Sequence, residues 1–103
     1  MDKDKIFSLP LPREPVELPE WGGTFYVRSL TAAEMDEFAA AMDSDDRHGR
    51  AALAVRVLVD EQGERLFADE DVERLSTTQS FSTLQKIWEV AAPLNGLDAG
   101  KND

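Results

Sequence analysis

The chain has 103 residues and a mass of 11.5 kDa, a length that allows one domain with one modest hydrophobic core. Its 21 acidic and 11 basic side chains give a formal net charge of −10, and a surface of that sign repels nucleic acid and anionic membranes. Cysteine is absent and His48 is the single histidine, which excludes disulfides, thiolate metal sites and sites that need two imidazoles; the predicted class is a binding or assembly protein without metal or cofactor.

Residues 1–13 are predicted to form a flexible N-terminal tail, because mixed charges are followed by Pro10 and Pro12, which block regular strand pairing. The tail also contains apolar side chains that could dock on the domain or on a partner, namely Ile6, Phe7, Leu9 and Leu11. Residues 14–98 are predicted to form a single α+β domain, and residues 99–103 a flexible C-terminal end.

A β-hairpin is predicted over residues 15–29, with Gly22-Gly23 as a two-residue turn. This turn places Glu17 opposite Arg28 and Leu18 opposite Val27, an opposite-charge pair and an apolar pair. The face assigned to the core consists of Val16, Leu18, Phe25 and Val27. Pro15 indicates that the first strand lies at an edge of the sheet.

Helical patterns follow the hairpin, so the predicted fold class is α+β, with an N-terminal β-hairpin packed on a small bundle of about four helices. Thr31 and Glu34 form a capping box at the start of the first helix. The apolar, alanine-rich residues 51–59 predict a central helix, and Asp69 is expected to cap the short helix that follows.

The last predicted helix is capped by Ser80 or Ser82, and Ser82 with Gln85 fits a second capping box. Its predicted core face is an apolar stripe consisting of Phe81, Leu84, Ile87, Trp88 and Ala91. Asn95-Gly96 is typical of a helix C-terminus.

No catalytic, cofactor-binding or metal-ligating residue is assigned. The acidic residues 43–46 invite a calcium interpretation, but an EF-hand alignment places His48 where glycine is required and Ala54 where glutamate is required. His48 is expected to be exposed at a helix start and not to act as a base. Nucleophile, phosphate-binding and dinucleotide motifs are absent from the sequence, so the chain is predicted not to be an enzyme.

Several short motifs follow one another in a characteristic order. A proline-rich start precedes VELPEWGG at residues 16–23 and VRSLTAAE at residues 27–34. Next come a mostly apolar helix and the turn at residues 60–63. They are followed by a short acidic helix and by a last helix that runs into residues 94–97, LNGL. In this order, over residues 13–98, the chain resembles the tail assembly chaperones of long-tailed (siphovirus-type) bacteriophages and prophages.

The resemblance implies a small α+β protein that is needed to build the tail tube and is absent from the mature virion. Its implied partners are the aggregation-prone tape measure protein and the tail tube protein, in the cytoplasm of the host bacterium, and self-association is a further expectation. The family commonly carries a programmed frameshift near the end of the gene, and residues 99–101 are compatible with codons that contain a slippery heptamer. The resemblance supplies no cofactor and no catalytic residue.

Partner-binding side chains are expected to be exposed aromatic or apolar groups, because such anchors dominate binding energies. Trp21 lies at the predicted hairpin tip, opposite the core face. The predicted contact residues are Trp21, Tyr26, Trp88, Leu94 and Leu97. Replacing Trp21 by alanine is predicted to weaken partner binding without unfolding the domain.

Two other functions fit the composition. An acidic phage-encoded inhibitor or mimic would bind a basic host protein, and its binding would be sensitive to salt. A tail completion protein would remain in the virion, whereas a chaperone would not.

Overall fold

Helices and short antiparallel strands alternate in the computed structural model, which describes residues 2–43 and 48–97. The helices are α1 (Lys3–Phe7), α2 (Ala32–Asp43), α3 (Gly49–Val57), α4 (Val72–Thr78) and α5 (Phe81–Leu94). The strands are β1 (Arg13–Leu18), β2 (Gly23–Arg28) and β3 (Leu58–Val59), and in the described part of the chain they form one antiparallel sheet in the order β1-β2-β3. The predicted α+β class, a hairpin packed on the four main helices α2 to α5, is confirmed.

The β1–β2 hairpin has a register shifted by four residues from the predicted one. Leu18 pairs with Gly23 and not with Val27, and Glu17 pairs with Thr24, whose hydroxyl donates to the Glu17 carboxylate over 2.9 Å. The predicted two-residue glycine turn and its pairs are therefore wrong. Because the shift is an even number of residues, each side chain keeps its face. The face assigned to the core is buried or half-buried, as predicted: Val16, Leu18, Phe25 and Val27.

A turn of 3-10 helix over Pro19–Trp21 takes the place of the predicted glycine turn. Proline suits the first position of such a turn because its φ is preset and its missing N–H is not required there. Gly22 then has a φ of +103°, in the left-handed region where a side chain would be strained. The turn is tied to α5, since Nζ of Lys86 lies 3.2 Å from the Glu20 carboxylate.

Helix α3 occupies the centre of the core, as its alanine-rich apolar run predicts. It contacts α2, α4 and α5, and Ala51 to Val55 are all buried, as is Val57. The helix ends two residues earlier than predicted, because residues 58–59 pair with β2 as the short strand β3. This pairing satisfies backbone groups that would otherwise be buried without partners.

The capping box at the start of α2 is confirmed. The Thr31 N–H donates to the Glu34 carboxylate over 2.9 Å, and the Glu34 N–H donates to the Thr31 hydroxyl over 3.2 Å. The predicted cap at Asp69 is wrong. Asp69 lies inside a turn of 3-10 helix that precedes α4, and its carboxylate pairs with Arg65 over 2.8 Å.

Helix α5 begins at the first of the two predicted serine caps. Ser80 accepts a bond from the Thr83 N–H over 3.2 Å, so the alternative capping box at Ser82 is wrong. Phe81 was predicted for the core face and is instead 66% exposed. It is the first residue of α5, and its ring lies against the guanidinium of Arg50. The rest of the predicted stripe is buried or half-buried: Leu84, Ile87, Trp88 and Ala91.

The predicted stop at Asn95-Gly96 closes α5. Gly96 has a φ of +75°, its N–H donates to the Pro93 carbonyl over 3.1 Å, and the Leu97 N–H donates to the Ala92 carbonyl over 2.8 Å. These two bonds are those of a Schellman motif. They fix the direction in which the chain leaves the helix.

The N-terminal segment lies outside the core. Helix α1 has no buried residue, and the four apolar side chains of the segment are 41% to 79% exposed, so docking on the domain is not observed. The segment joins the domain at Pro12, whose carbonyl accepts from the Ser29 N–H over 2.8 Å. The predicted C-terminal end at 99–103 and residues 44–46 of the acidic cluster lie outside the described residues.

The ion pair between Arg28 and Glu34 leads to a prediction about pH. Two parallel bonds of 2.8 and 2.9 Å join the guanidinium to the carboxylate. The bond to Arg28, only partly opposed by burial, lowers the pKa of Glu34 from 4.5 to about 2. Because this pKa lies below that of the unfolded chain, the carboxylate stabilises the fold at pH values above 4.5, and its contribution is lost as the pH falls toward 2.

We expect Glu34→Gln to lower the free energy of unfolding by about 1–2 kcal/mol near neutral pH, after allowance for solvent screening, and to change it little near pH 2. Urea unfolding followed by circular dichroism at both pH values measures this difference. Glu37→Gln is the matched control, since Glu37 lies on the same helix and is exposed. A loss of the same size at both pH values would contradict the assigned role of the carboxylate.

Candidate partner-binding surface

Trp21 forms one wall of an open groove between the hairpin turn and α4. Its Nε1–H donates to Oε1 of Gln79 over 2.8 Å, and its ring packs edge-to-face against Phe25 and Phe67, with centroids 5.7 and 6.0 Å away. The groove has a volume of about 500 Å³, and we call it the Trp21 groove. Besides Trp21, Phe67 and Gln79, it is lined by Asp71, Arg74, Leu75 and Thr78. The contacts hold the indole in one orientation, which lowers the entropic cost of binding.

Trp88 is half-buried on α5, beneath the guanidinium of Arg50. The Arg50 Cζ is 5.5 Å from the ring centroid of Trp88 and 5.0 Å from that of Phe81, and Arg50 Nε donates to the Gln85 side chain. Each contact is a cation–π interaction that restrains the guanidinium. Arg50 and Phe81 line a second groove of about 200 Å³, the Phe81 groove, and the other lining residues are His48, Gly49, Ala51, Ser76, Gln79 and Leu84.

The remaining predicted contact residues lie in other places. Tyr26 is half-buried on β2, with the Arg13 guanidinium 5.1 Å above its ring centroid. Leu94 lines a third groove of about 340 Å³ beside Glu14. Leu97 is half-buried and packs against the core. The structure thus distributes the five predicted residues over different surfaces and does not bring them together in one site.

Of the residues that line the two grooves, sequence reasoning predicted only Trp21 as a contact, and those it missed include Arg50, Phe67, Arg74 and Gln79. An apolar pair in a polar stretch, Leu66-Phe67, was the available signal for Phe67. The bond from Trp21 to Gln79 joins residues 58 positions apart, so no local pattern indicates it.

The described residues contain no arrangement that suggests metal or acid–base chemistry. No group of three or more His, Asp or Glu side chains among them is placed to hold a metal ion. His48 is half-buried and not exposed as predicted, because it packs against α4, where its Nδ1 lies 2.9 Å from Oγ of Ser76. In the same part of the chain, no helix is long and apolar enough to cross a membrane.

Comparisons with known proteins agree with this architecture. A solved structure titled "Structure of bacteriophage HK97 tail assembly chaperone" matches with a TM-score of 0.64 and 13% identity, over 98% of this chain and 96% of that chain, which shows a shared fold. Among curated proteins, no sequence matches the chain. A family model described as "Phage tail assembly chaperone, TAC" matches residues 13–91, which is most of the chain. The chain therefore belongs to the phage tail assembly chaperone family and has a role in tail morphogenesis as a chaperone, not as an enzyme.

Proposed function

We propose that the chain binds the tape measure protein in the cytoplasm of the host bacterium, keeps it from aggregating and helps recruit tail tube subunits. It is absent from the mature virion. A longer product made by a programmed frameshift over residues 99–101, which lie outside the described residues, is part of the proposal. Family membership supports the setting in tail assembly, and the resemblance noted above supplies these finer steps.

The Trp21 groove is the observation that carries this proposal. It offers an aromatic wall that is half-exposed yet restrained by Gln79 and Phe67, the arrangement found at binding hot spots. Apolar side chains of a helical partner would fill it. Tyr26, Trp88, Leu94 and Leu97 stay proposed contacts, and their separate surfaces leave room for tail tube subunits and for self-association.

The test is co-expression with the tape measure protein and the tail tube protein of the same phage. We expect the tape measure protein to be recovered in the soluble fraction and to copurify with the chain, and mass spectrometry of purified virions to show no chain. A tape measure protein that stays insoluble and unbound would overturn the proposal. Presence of the chain in virions would favour a tail completion protein.

A matched pair of variants locates the contact. Thr77 and Thr78 are both exposed on α4, and each hydroxyl donates to a carbonyl one turn earlier, but Thr78 lines the Trp21 groove and Thr77 does not. We expect Thr78→Arg to reduce tape measure binding about tenfold or more by filling the groove, and Thr77→Arg to change it little. Equal effects of both variants would place the contact elsewhere.

A further inference from the structure

Each of the two grooves contains an arginine beside aromatic side chains. Three basic side chains of the described residues form ion pairs, namely Arg28–Glu34, Arg65–Asp69 and Lys86–Glu20. Six other basic side chains of the described residues have no ion pair there, and two of these six, Arg50 and Arg74, line grooves with aromatic walls.

In the Trp21 groove, the unpaired cation stands beside apolar walls. The Arg74 side chain is exposed and makes no hydrogen bond or ion pair within the described part of the chain. The one carboxylate of the lining, Asp71, accepts a bond from the Ala68 N–H at Oδ2 over 2.8 Å and is not bonded to Arg74. The groove therefore offers a guanidinium that has no bonded partner in residues 2–43 and 48–97, next to Trp21 and Phe67 and in the same lining as Asp71.

The Phe81 groove repeats this combination. The Arg50 guanidinium lies over the rings of both Phe81 and Trp88, and its Nε is bonded to Gln85. A guanidinium has five N–H donors, so those of Nη1 and Nη2 can still meet a carboxylate end-on in two parallel bonds. Gln79 lines both grooves, which makes them adjoining parts of one surface.

We propose that this surface, the Trp21 and Phe81 grooves together, binds an apolar partner segment that carries carboxylates beside its apolar side chains. This inference rests on the proposed function, because the segment would belong to the protein that the chaperone binds. The aromatic walls take the apolar side chains, and Arg50 and Arg74 pair with the carboxylates. Arg13 is different: its guanidinium lies over Tyr26 and donates to the Asp60 carbonyl, outside both grooves.

The net charge of −10 does not oppose this proposal. Charges more than about 8 Å away are largely screened at physiological ionic strength, so the groups at the contact decide its preference. The distant acidic groups slow the encounter with an acidic segment, whereas the two arginines select it once it is in contact.

The test uses two synthetic amphipathic helices of about five turns with the same leucine and phenylalanine stripe. One has glutamate on both flanks of the stripe and the other has lysine at the same positions. Each is titrated into the 15N-labelled full chain, and the NMR signals of the Trp21 indole N–H and the arginine side chains are followed. We expect the glutamate peptide to bind about tenfold more tightly or better, with shifts at Trp21 and Arg50.

The double variant R50E/R74E is expected to reverse the preference, so that the lysine peptide binds more tightly. The matched control is K3E/K5E, which changes the net charge by the same amount on the exposed segment α1 and should leave the preference unchanged. R74E alone repeats the test if R50E disturbs α5, since Arg74 makes no side-chain bond among the described residues. A preference for the lysine peptide in the unsubstituted chain, or an unchanged preference in R74E, overturns the inference.

The two proposals fail in different ways. If the tape measure protein copurifies with the unsubstituted chain and equally with R74E, the proposed function stands and the charge inference is wrong. If the chain selects the glutamate peptide but does not bind the tape measure protein, the surface is as inferred and its partner is another protein.

Discussion

Leu53→Ala is expected to lower the free energy of unfolding by about 3–5 kcal/mol, the range found when a large aliphatic side chain is removed from a packed core. Leu53 is completely buried at the centre of α3, the helix that contacts three other helices. A domain of this size has a total stability of about 5–10 kcal/mol, so the variant should keep only a small margin. Urea unfolding followed by circular dichroism measures the change.

Leu66→Ala is the matched control for that variant. Leu66 is 40% exposed, and the same truncation there should cost about 1 kcal/mol or less. Similar losses at both positions would mean that α3 is not the centre of the core. The difference between the two leucines therefore tests the placement of the helix.

Trp21→Ala is expected to cost about 2–3 kcal/mol of folding stability, in addition to its effect on partner binding. The sequence alone predicted a loss of binding without unfolding. The contacts with Phe25, Phe67 and Gln79 add a structural contribution, but the remaining stability should keep the domain folded at room temperature. Urea unfolding and tape measure binding, measured on the same preparation, separate the two effects.

Trp21→Phe is the companion variant. It keeps an aromatic ring against Phe25 and Phe67 but removes the bond from Nε1 to Gln79, which should cost about 1 kcal/mol, and part of the ring contact area. If Trp21→Ala unfolds the domain outright, the residue is part of the core and not a contact. If the folded alanine variant binds the tape measure protein as well as the unsubstituted chain, the Trp21 groove is not the site.

Features set by a few neighbouring residues were predictable. The Thr31–Glu34 capping box, the alternation of the hairpin faces and the stop at Asn95-Gly96 each depend on residues within one turn or one strand. The hairpin register was not predictable from the glycine pair, because Pro19 favours a turn of 3-10 helix that uses three residues before Gly22. The residues suit both a two-residue glycine turn and a turn of 3-10 helix. The contact between Glu20 and Lys86 of α5 favours the turn of 3-10 helix.

The candidate surface depends on contacts between distant segments. Trp21 was predicted as a contact residue from its place near the turn, but its partner Gln79 comes from the end of α4. Arg50 becomes a fixed cation only because α5 brings Phe81 and Trp88 beneath it. Helical periodicity wrongly assigned Phe81 to the core. Periodicity shows which residues share a helix face, but it does not show how far the neighbouring elements cover that face.

The sheet also restricts the way in which this chaperone can hold a client. One edge strand, β1, lies in a stretch with prolines at positions 10, 12, 15 and 19, which provide no backbone N–H for another strand. The other edge strand, β3, has two residues, and Val59 is already bridged to Arg65. Because Pro15 interrupts the free edge of β1 and β3 has only two residues, both edges are unfavourable for strand addition. A bound protein would therefore find side chains to contact here, but little free backbone on which a cross-β stack could begin.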